Sequence, residues 1–172
     1  NTNSTGTTFY GWTRQSGGTP SSGTGPSNGH GGWGSYYYTE ASSPRKVGDV
    51  YELRYDGSVC GANSIVRAVQ FAYHMFGSGI GTLELVNSGQ VVVWNQTGAA
   101  SSSQNDWRES SADVGDSEFS FRATRGSSWD GDIAVDSVSV ECAPRPPSPP
   151  PSQPPPPPPP PPPPSAPGVD EL

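Results

Sequence analysis

Eleven consecutive prolines, Pro154, Pro155, Pro156, Pro157, Pro158, Pro159, Pro160, Pro161, Pro162, Pro163 and Pro164, can be neither helix interior nor central strand. Each ring fixes φ near −65° and removes a backbone donor. Of the 21 prolines, 18 fall between Pro144 and Pro167, and only Pro20, Pro26 and Pro44 lie earlier. All five tryptophans and all seven tyrosines stand before Cys142. The composition therefore divides the chain into residues 1–143, one globular domain, and residues 144–172, an extended tail. A proline run adopts polyproline II at about 3.1 Å per residue, which makes the eleven prolines a rod of about 34 Å. A domain of about 140 residues can bury a core without a metal or many disulfides.

Within the domain the apolar residues alternate. "SYYYTEAS" puts Tyr36 and Tyr38 on one face and Tyr37 on the other; "DVYELRY" sets Tyr51, Leu53 and Tyr55 against Val50, Glu52 and Arg54. "RAVQFAYHMFG" sets Val69, Phe71, Tyr73 and Met75 against Ala68, Gln70, Ala72 and His74. Phe119 and Phe121 alternate with Ser120 and Arg122. This period of two is that of half-buried antiparallel strands. "GTLELV" and "QVVVWNQ" flank "NSG", a hairpin signal. In "DIAVDSVSVEC" the apolar set switches from Ile133 and Val135 to Val138 and Val140, which predicts a bulge near Asp136. No stretch shows a helical period. Many short strands joined by glycine-rich turns predict an all-β sandwich. The segment from Gly17 to Gly34, "GGTPSSGTGPSNGHGGWG", is almost entirely turn formers and too long for a simple hairpin turn.

The formal charge of −7 opposes binding to nucleic acid or to an anionic membrane, both of which need a basic patch. No apolar run is long enough for a membrane span. The chain opens at Asn1 rather than Met and has no signal-like apolar run, the pattern expected of a mature, processed protein or a trimmed one. For an intracellular chain the default reading of Cys60 and Cys142 is two free thiols. The Gly, Ser and Thr content, the scarcity of Lys, the tail, and sequons at Asn3 and Asn95 favour a secreted protein with a Cys60–Cys142 disulfide. Closing a loop of that length stabilises by about 4 kcal/mol in the loop-closure picture.

Candidate chemistry is sparse. His30 and His74 are the only histidines and belong to no metal-binding spacing. His74, on a strand, reads as a structural, hydrogen-bonded residue; His30, in the glycine loop, as exposed. "WDGDIAVD" offers Asp130, Asp132 and Asp136 but is not an EF-hand loop. Asp130–Gly131 reads as a turn and Asp136 as a backbone anchor at the bulge. Asp132 and Asp136 are also the candidates for a calcium or sodium site. Nothing selects a pair among the sixteen acids for glycoside hydrolysis, and no nucleophile elbow or phosphate loop is present. Of Trp12, Trp33, Trp94, Trp107 and Trp129, most read as core or rim residues, and Trp33, in the loop, is the candidate for glycan contact.

Four stretches, in order, resemble the MAM domain of meprins, neuropilins and receptor tyrosine phosphatases. They are the glycine-serine loop leading into "SYYYTEASSP", then "FAYHMFGSGIGTLEL", then "VVVWNQTG" with the following "DW", and finally "FRATRGSSWDGDIAVDSVSVEC". Together they span about residues 9–143. The resemblance implies a jelly-roll β-sandwich of two antiparallel sheets and an extracellular, non-catalytic module for adhesion and assembly. The chain departs from the pattern in lacking the family's first two cysteines, in placing Cys60 ahead of the usual position near Ala68, and in having Gly29 and Gly31 where the family has Asp and Thr.

The tail admits several readings: a stiff spacer, a ligand for SH3- or WW-type domains, or a rod similar to the hydroxyproline-rich glycoproteins of algal and plant walls, with modified prolines carrying sugars. Its end, "GVDEL", loosely resembles an endoplasmic-reticulum retention signal. A globular head on a rod can join head to tail, and a heterologous contact that does not close generates a filament. The expectation is a structural or adhesive glycoprotein, a self-assembling unit of a surface fibre. The alternative is a carbohydrate-binding module with a proline-rich linker.

Overall fold

The computed structural model describes residues 9–146. Among the described residues ten strands form two five-stranded sheets. The first sheet runs in the order β1 (Phe9–Tyr10), β4 (Val50–Tyr55), β9 (Phe119–Thr124), β6 (Thr82–Asn87), β7 (Val92–Thr97). The second runs β2 (Thr13–Ser16), β3 (Ser35–Thr39), β10 (Ile133–Pro144), β5 (Ser64–Met75), β8 (Arg108–Asp116). Every pairing is antiparallel except the short one between β1 and β4. Among the described residues the one helical element is a 3-10 turn, His30–Gly32. This is the all-β sandwich that the alternation predicts.

The inter-sheet core follows the predicted faces. Val69, Phe71 and Met75 of β5 pack against Leu83 and Leu85 of β6, Phe119 and Phe121 of β9, and Ile133 and Val135 of β10. Burying each such side chain contributes about 1.5–3 kcal/mol. The hairpin at "NSG" joins β6 to β7, with Gln90 at φ 62° closing the turn. The bulge is also where the pattern places it. Asp136 pairs with Ala72 and Ser139 with Gln70, so Ser137 and Val138 form the irregularity, and Ser137 takes φ 50°. Asp136 anchors it: Oδ1 accepts from the adjacent Ser137 N–H at 2.6 Å and Oδ2 from His30 N–H at 2.7 Å.

Cys60 and Cys142 are bonded, with their Cα atoms 5.4 Å apart. The crosslink ties the loop after β4 to the end of β10, which continues through Pro144, one residue past the boundary drawn from composition. Gly77 is required where β5 ends, because φ is 143° and a Cβ would sit 1.8 Å from the Asp130 carbonyl oxygen. Asn3 and Pro154–Pro164 lie outside the described residues.

Candidate functional site

Strand β3 decides where aromatic surface goes. Tyr38 pairs with Ala134 and Tyr37 with Val135. Paired residues share a face, so Tyr36 and Tyr38 point away from the inter-sheet core with Ala134, and Tyr37 points toward it with Val135. Yet Tyr36 is 1% exposed and Tyr37 is 41% exposed. The outward face is covered and part of the inward face is not.

The cover is the Gly17–Gly34 loop, which is pinned rather than loose. Tyr36 donates its hydroxyl to Gly17 O at 2.8 Å, Ser27 N–H to Gln104 O at 2.9 Å, and Trp107 Nε1–H to Asn28 O at 3.0 Å. Thr24, fully buried, donates to Phe76 O and accepts from Asp132 N–H, both at 3.0 Å. Tyr36, Tyr38, Ala134 and Trp107 thus form a second, smaller core under the loop. Gly29 fits because a Cβ there would lie 2.3 Å from Trp33 O. Burial, with Asp132 nearby, pushes the Tyr36 hydroxyl up to about 12.

Two ionisable groups are buried nearby, Asp132 against Thr24 of this loop and His74 against Trp107. His74 is fully buried, and Nε2 donates to Ser103 O at 2.9 Å while Nδ1 has no partner. Burial pushes its pKa down to about 4, so it is a neutral, structural residue at ordinary pH. Asp132 is also fully buried; Oδ1 accepts from Ala41 N–H at 2.9 Å, and Oδ2 has no hydrogen-bond partner. Burial, reinforced by the nearby Glu40 charge, pushes it up to about 7.

The two cation candidates are placed differently: Asp132 keeps a buried Oδ2 without a hydrogen-bond partner, and Asp136 is turned toward the loop backbone. A calcium or sodium ion needs several converging oxygens. Asp136 commits both of its oxygens to backbone N–H groups, and among the described residues no three His, Cys, Asp or Glu side chains converge. Asp130 accepts at Oδ2 from Ser78 N–H and Oγ–H, as a turn residue does. His30 is half-buried rather than exposed: its ring meets Ser137 Oγ at 3.0 Å and stands 3.4 Å from Glu109. The bulge draws the loop inward through Asp136, and the ring follows.

Surface candidates stand apart from these groups. Trp33 is 79% exposed on the glycine loop. Trp94 packs edge-on against Phe71 and Tyr73, and Trp107 caps the smaller core. Asn95 is exposed on β7, an edge strand.

No sequence pattern signals the groove at one corner of the sandwich. It encloses about 280 Å³ and is lined mainly by Tyr37, Leu53, Tyr55, Phe119, Phe121 and Val138, and also by Arg54, Asp136 and Ser137. Tyr55 and Phe119 stack at 4.9 Å on its floor. The groove exists because two strands lose their neighbours there. β1 pairs only with Val50 and Tyr51, leaving the outer edge of β4 from Glu52 to Tyr55 without a strand partner among the described residues. β3 pairs with β10 only at Ile133–Val135, which leaves β10 likewise unpartnered on that side beyond the bulge.

The family model for the MAM domain, meprin/A5/mu, matches residues 2–144. Neuropilin-1a of Danio rerio is 36% identical over 142 residues, covering 75% of this chain and 15% of its own length. The MAM domain-containing glycosylphosphatidylinositol anchor protein 1 of Gallus gallus is 31% identical, covering 67% of this chain and 13% of its own length. Its Rattus norvegicus counterpart is 32% identical over 158 residues, covering 81% and 16%. The chain thus spans about a seventh of the length of these curated relatives. A solved Bacillus subtilis glycoside hydrolase family 43 arabinoxylan arabinofuranohydrolase overlaps 75% of this chain and 24% of its own at 14% identity and TM-score 0.40, too loosely to bear on fold or function. With the family's motif order on two five-stranded sheets and a match across nearly all the described residues, the chain belongs to the MAM domain family.

Proposed function

We propose that this chain is a non-catalytic extracellular glycoprotein of structural or adhesive type, a repeating unit of a surface fibre. Residues 1–143 make protein contacts. Residues 144–172 act as a stiff spacer and, through hydroxylated prolines, as a glycan carrier. Family membership supports the extracellular, contact-making part. Family membership also carries the non-catalytic part, and the two buried ionisable groups, His74 and Asp132, are closed off from any substrate. Reaction chemistry needs acid, base or nucleophile within reach of a substrate. The disulfide and the exposed Asn95 suit a secreted, N-glycosylated chain. Among the described residues no helix is long and apolar enough to cross a membrane.

Electron microscopy of native material tests the reading. Filaments with a constant axial repeat support it, and dispersed single particles contradict it. Mass spectrometry that finds only unmodified proline in Pro154–Pro164 removes the glycan-carrier part.

One observation favours a second reading, a carbohydrate-binding module on a proline-rich linker. Trp33 is largely exposed to solvent on a pinned loop, as a sugar-stacking platform would be. Binding on a glycan array that disappears with Trp33→Ala would establish it.

A further inference from the structure

We infer that the corner groove between β4 and β10 is a docking site for the proline run of a second copy of this chain. The inference rests on the assembly reading above and names the contact that would build it.

The groove is unusual in what it leaves bare. Tyr37 lies on the inward face of β3 and remains 41% exposed, and Val138 is 43% exposed beside it. With the stacked Tyr55–Phe119 pair they form an aromatic-lined slot open along one side. Aromatic slots of this kind accept polyproline II, whose preformed rod has little conformational entropy left to lose on binding.

The hydrogen-bonding chemistry is complementary in the same sense. A proline run offers carbonyl oxygens and no N–H, so its partner must supply donors. The Tyr55 hydroxyl accepts from Val59 N–H at 3.0 Å, which leaves its own proton to donate. The outer edges of β4 and β10 at the groove lack a strand neighbour, and such edges present unpaired backbone N–H groups. A β-strand would fill the same edges only by presenting donors in register, which prolines lack.

The position of the exit selects a second copy over the chain's own tail. β10 passes the groove at Val135–Val138 and reaches Pro144 six residues later, about 20 Å further on at ~3.3 Å per residue. The next residues, "RPPSPPPSQ", are themselves proline-rich and oppose a tight reversal. A stiff proline-rich linker of this kind disfavours return to the chain's own groove and favours a neighbour's. The resulting contact is heterologous and repeats without closing. A threefold rod puts every third ring on one side. One strip of rings enters the slot, and the other two strips stay outside, where they can carry sugars.

The test uses the full-length chain, ¹⁵N-labelled, with Pro154–Pro164 replaced by alternating Gly and Ser so that no internal ligand competes. A synthetic peptide of residues 152–167 is titrated in and followed by amide chemical shifts. The expected result is a set of shifts confined to the amides of Tyr37, of Leu53–Tyr55, and of Ser137 and Val138 on β10. Tyr37→Ala with Val138→Asp should weaken binding by about tenfold or more, with the remaining spectrum unchanged. Should that pair unfold the domain, Val138→Asp alone, at an exposed site, serves instead. No shifts, shifts centred on Trp33, or shifts produced by a residue 1–8 peptide in place of the proline peptide overturn the inference. Sedimentation of the unaltered chain separates the two claims. Filaments without peptide binding leave the assembly reading standing and remove the groove; peptide binding by a chain that stays monomeric removes the assembly reading and overturns the second copy as the groove's occupant.

Discussion

Tyr36 and Tyr37 are adjacent, identical in chemistry and opposite in fate. Tyr36 points out of the sandwich and is buried; Tyr37 points in and is bare. The usual expectation, inward buried and outward wet, fails for both, and for one reason. Burial is set by what arrives from elsewhere in the chain. The Gly17–Gly34 loop is held over Tyr36 by contacts to Gln104 and Trp107, whereas the two-residue β1 is too short to roof Tyr37. A covered face gives a rigid second core, and an uncovered one gives a surface that can be used.

A large effect is expected on the disulfide that ties the loop after β4 to the end of β10. Replacing both Cys60 and Cys142 with Ala should cost about 4 kcal/mol, read as a lower denaturant midpoint. The tyrosine pair sharpens the contrast itself. Tyr36→Ala should cost about 3–5 kcal/mol, as for other large buried aromatics. Tyr37→Ala should stay under about 1 kcal/mol, as at surface positions. Equal costs would mean that the corner is covered in solution.

Protonation probes the covered side. Asp132, raised to about 7, stabilises at low pH, and that contribution is lost as pH climbs from its unfolded value near 3.8 through 7. His74, lowered to about 4, acts oppositely. Its unfolded form protonates below 6.5 while the folded form does not, so stability is lost as pH falls from 6.5 toward 4. The two oppose each other across the same window. His74→Phe should therefore leave stability rising as pH falls from about 6.5 to about 4.5, and Asp132→Asn should leave it falling; denaturant midpoints at several pH values check both. The smallest effect is at Trp33, where Ala should change stability by less than about 0.5 kcal/mol.

The strands with strict alternation were legible from sequence. β4, β5, β9 and the bulge of β10 sit where their residues place them, because one face of each meets the inter-sheet core. β8 was not legible. Its "RESSADVGD" carries only Ala112 and Val114 as apolar residues, since it is an edge strand with a mostly wet outer face. β1 and β2 are too short to show a period. The cover over Tyr36 and Trp107 was hidden for a different reason: it depends on loop contacts made across more than seventy residues of sequence. The groove was hidden because it follows from where β1 and β3 stop, and no residue type signals an absent neighbour.

The most direct measurement is a mixing experiment in sedimentation velocity. One full-length chain carries Tyr37→Ala and Val138→Asp, and keeps its prolines. The other keeps its groove and has Pro154–Pro164 replaced by Gly and Ser. Each alone should sediment as a monomer, and the mixture should form a one-to-one complex that grows no further. A mixture that stays monomeric under conditions where the unaltered chain assembles would contradict the account.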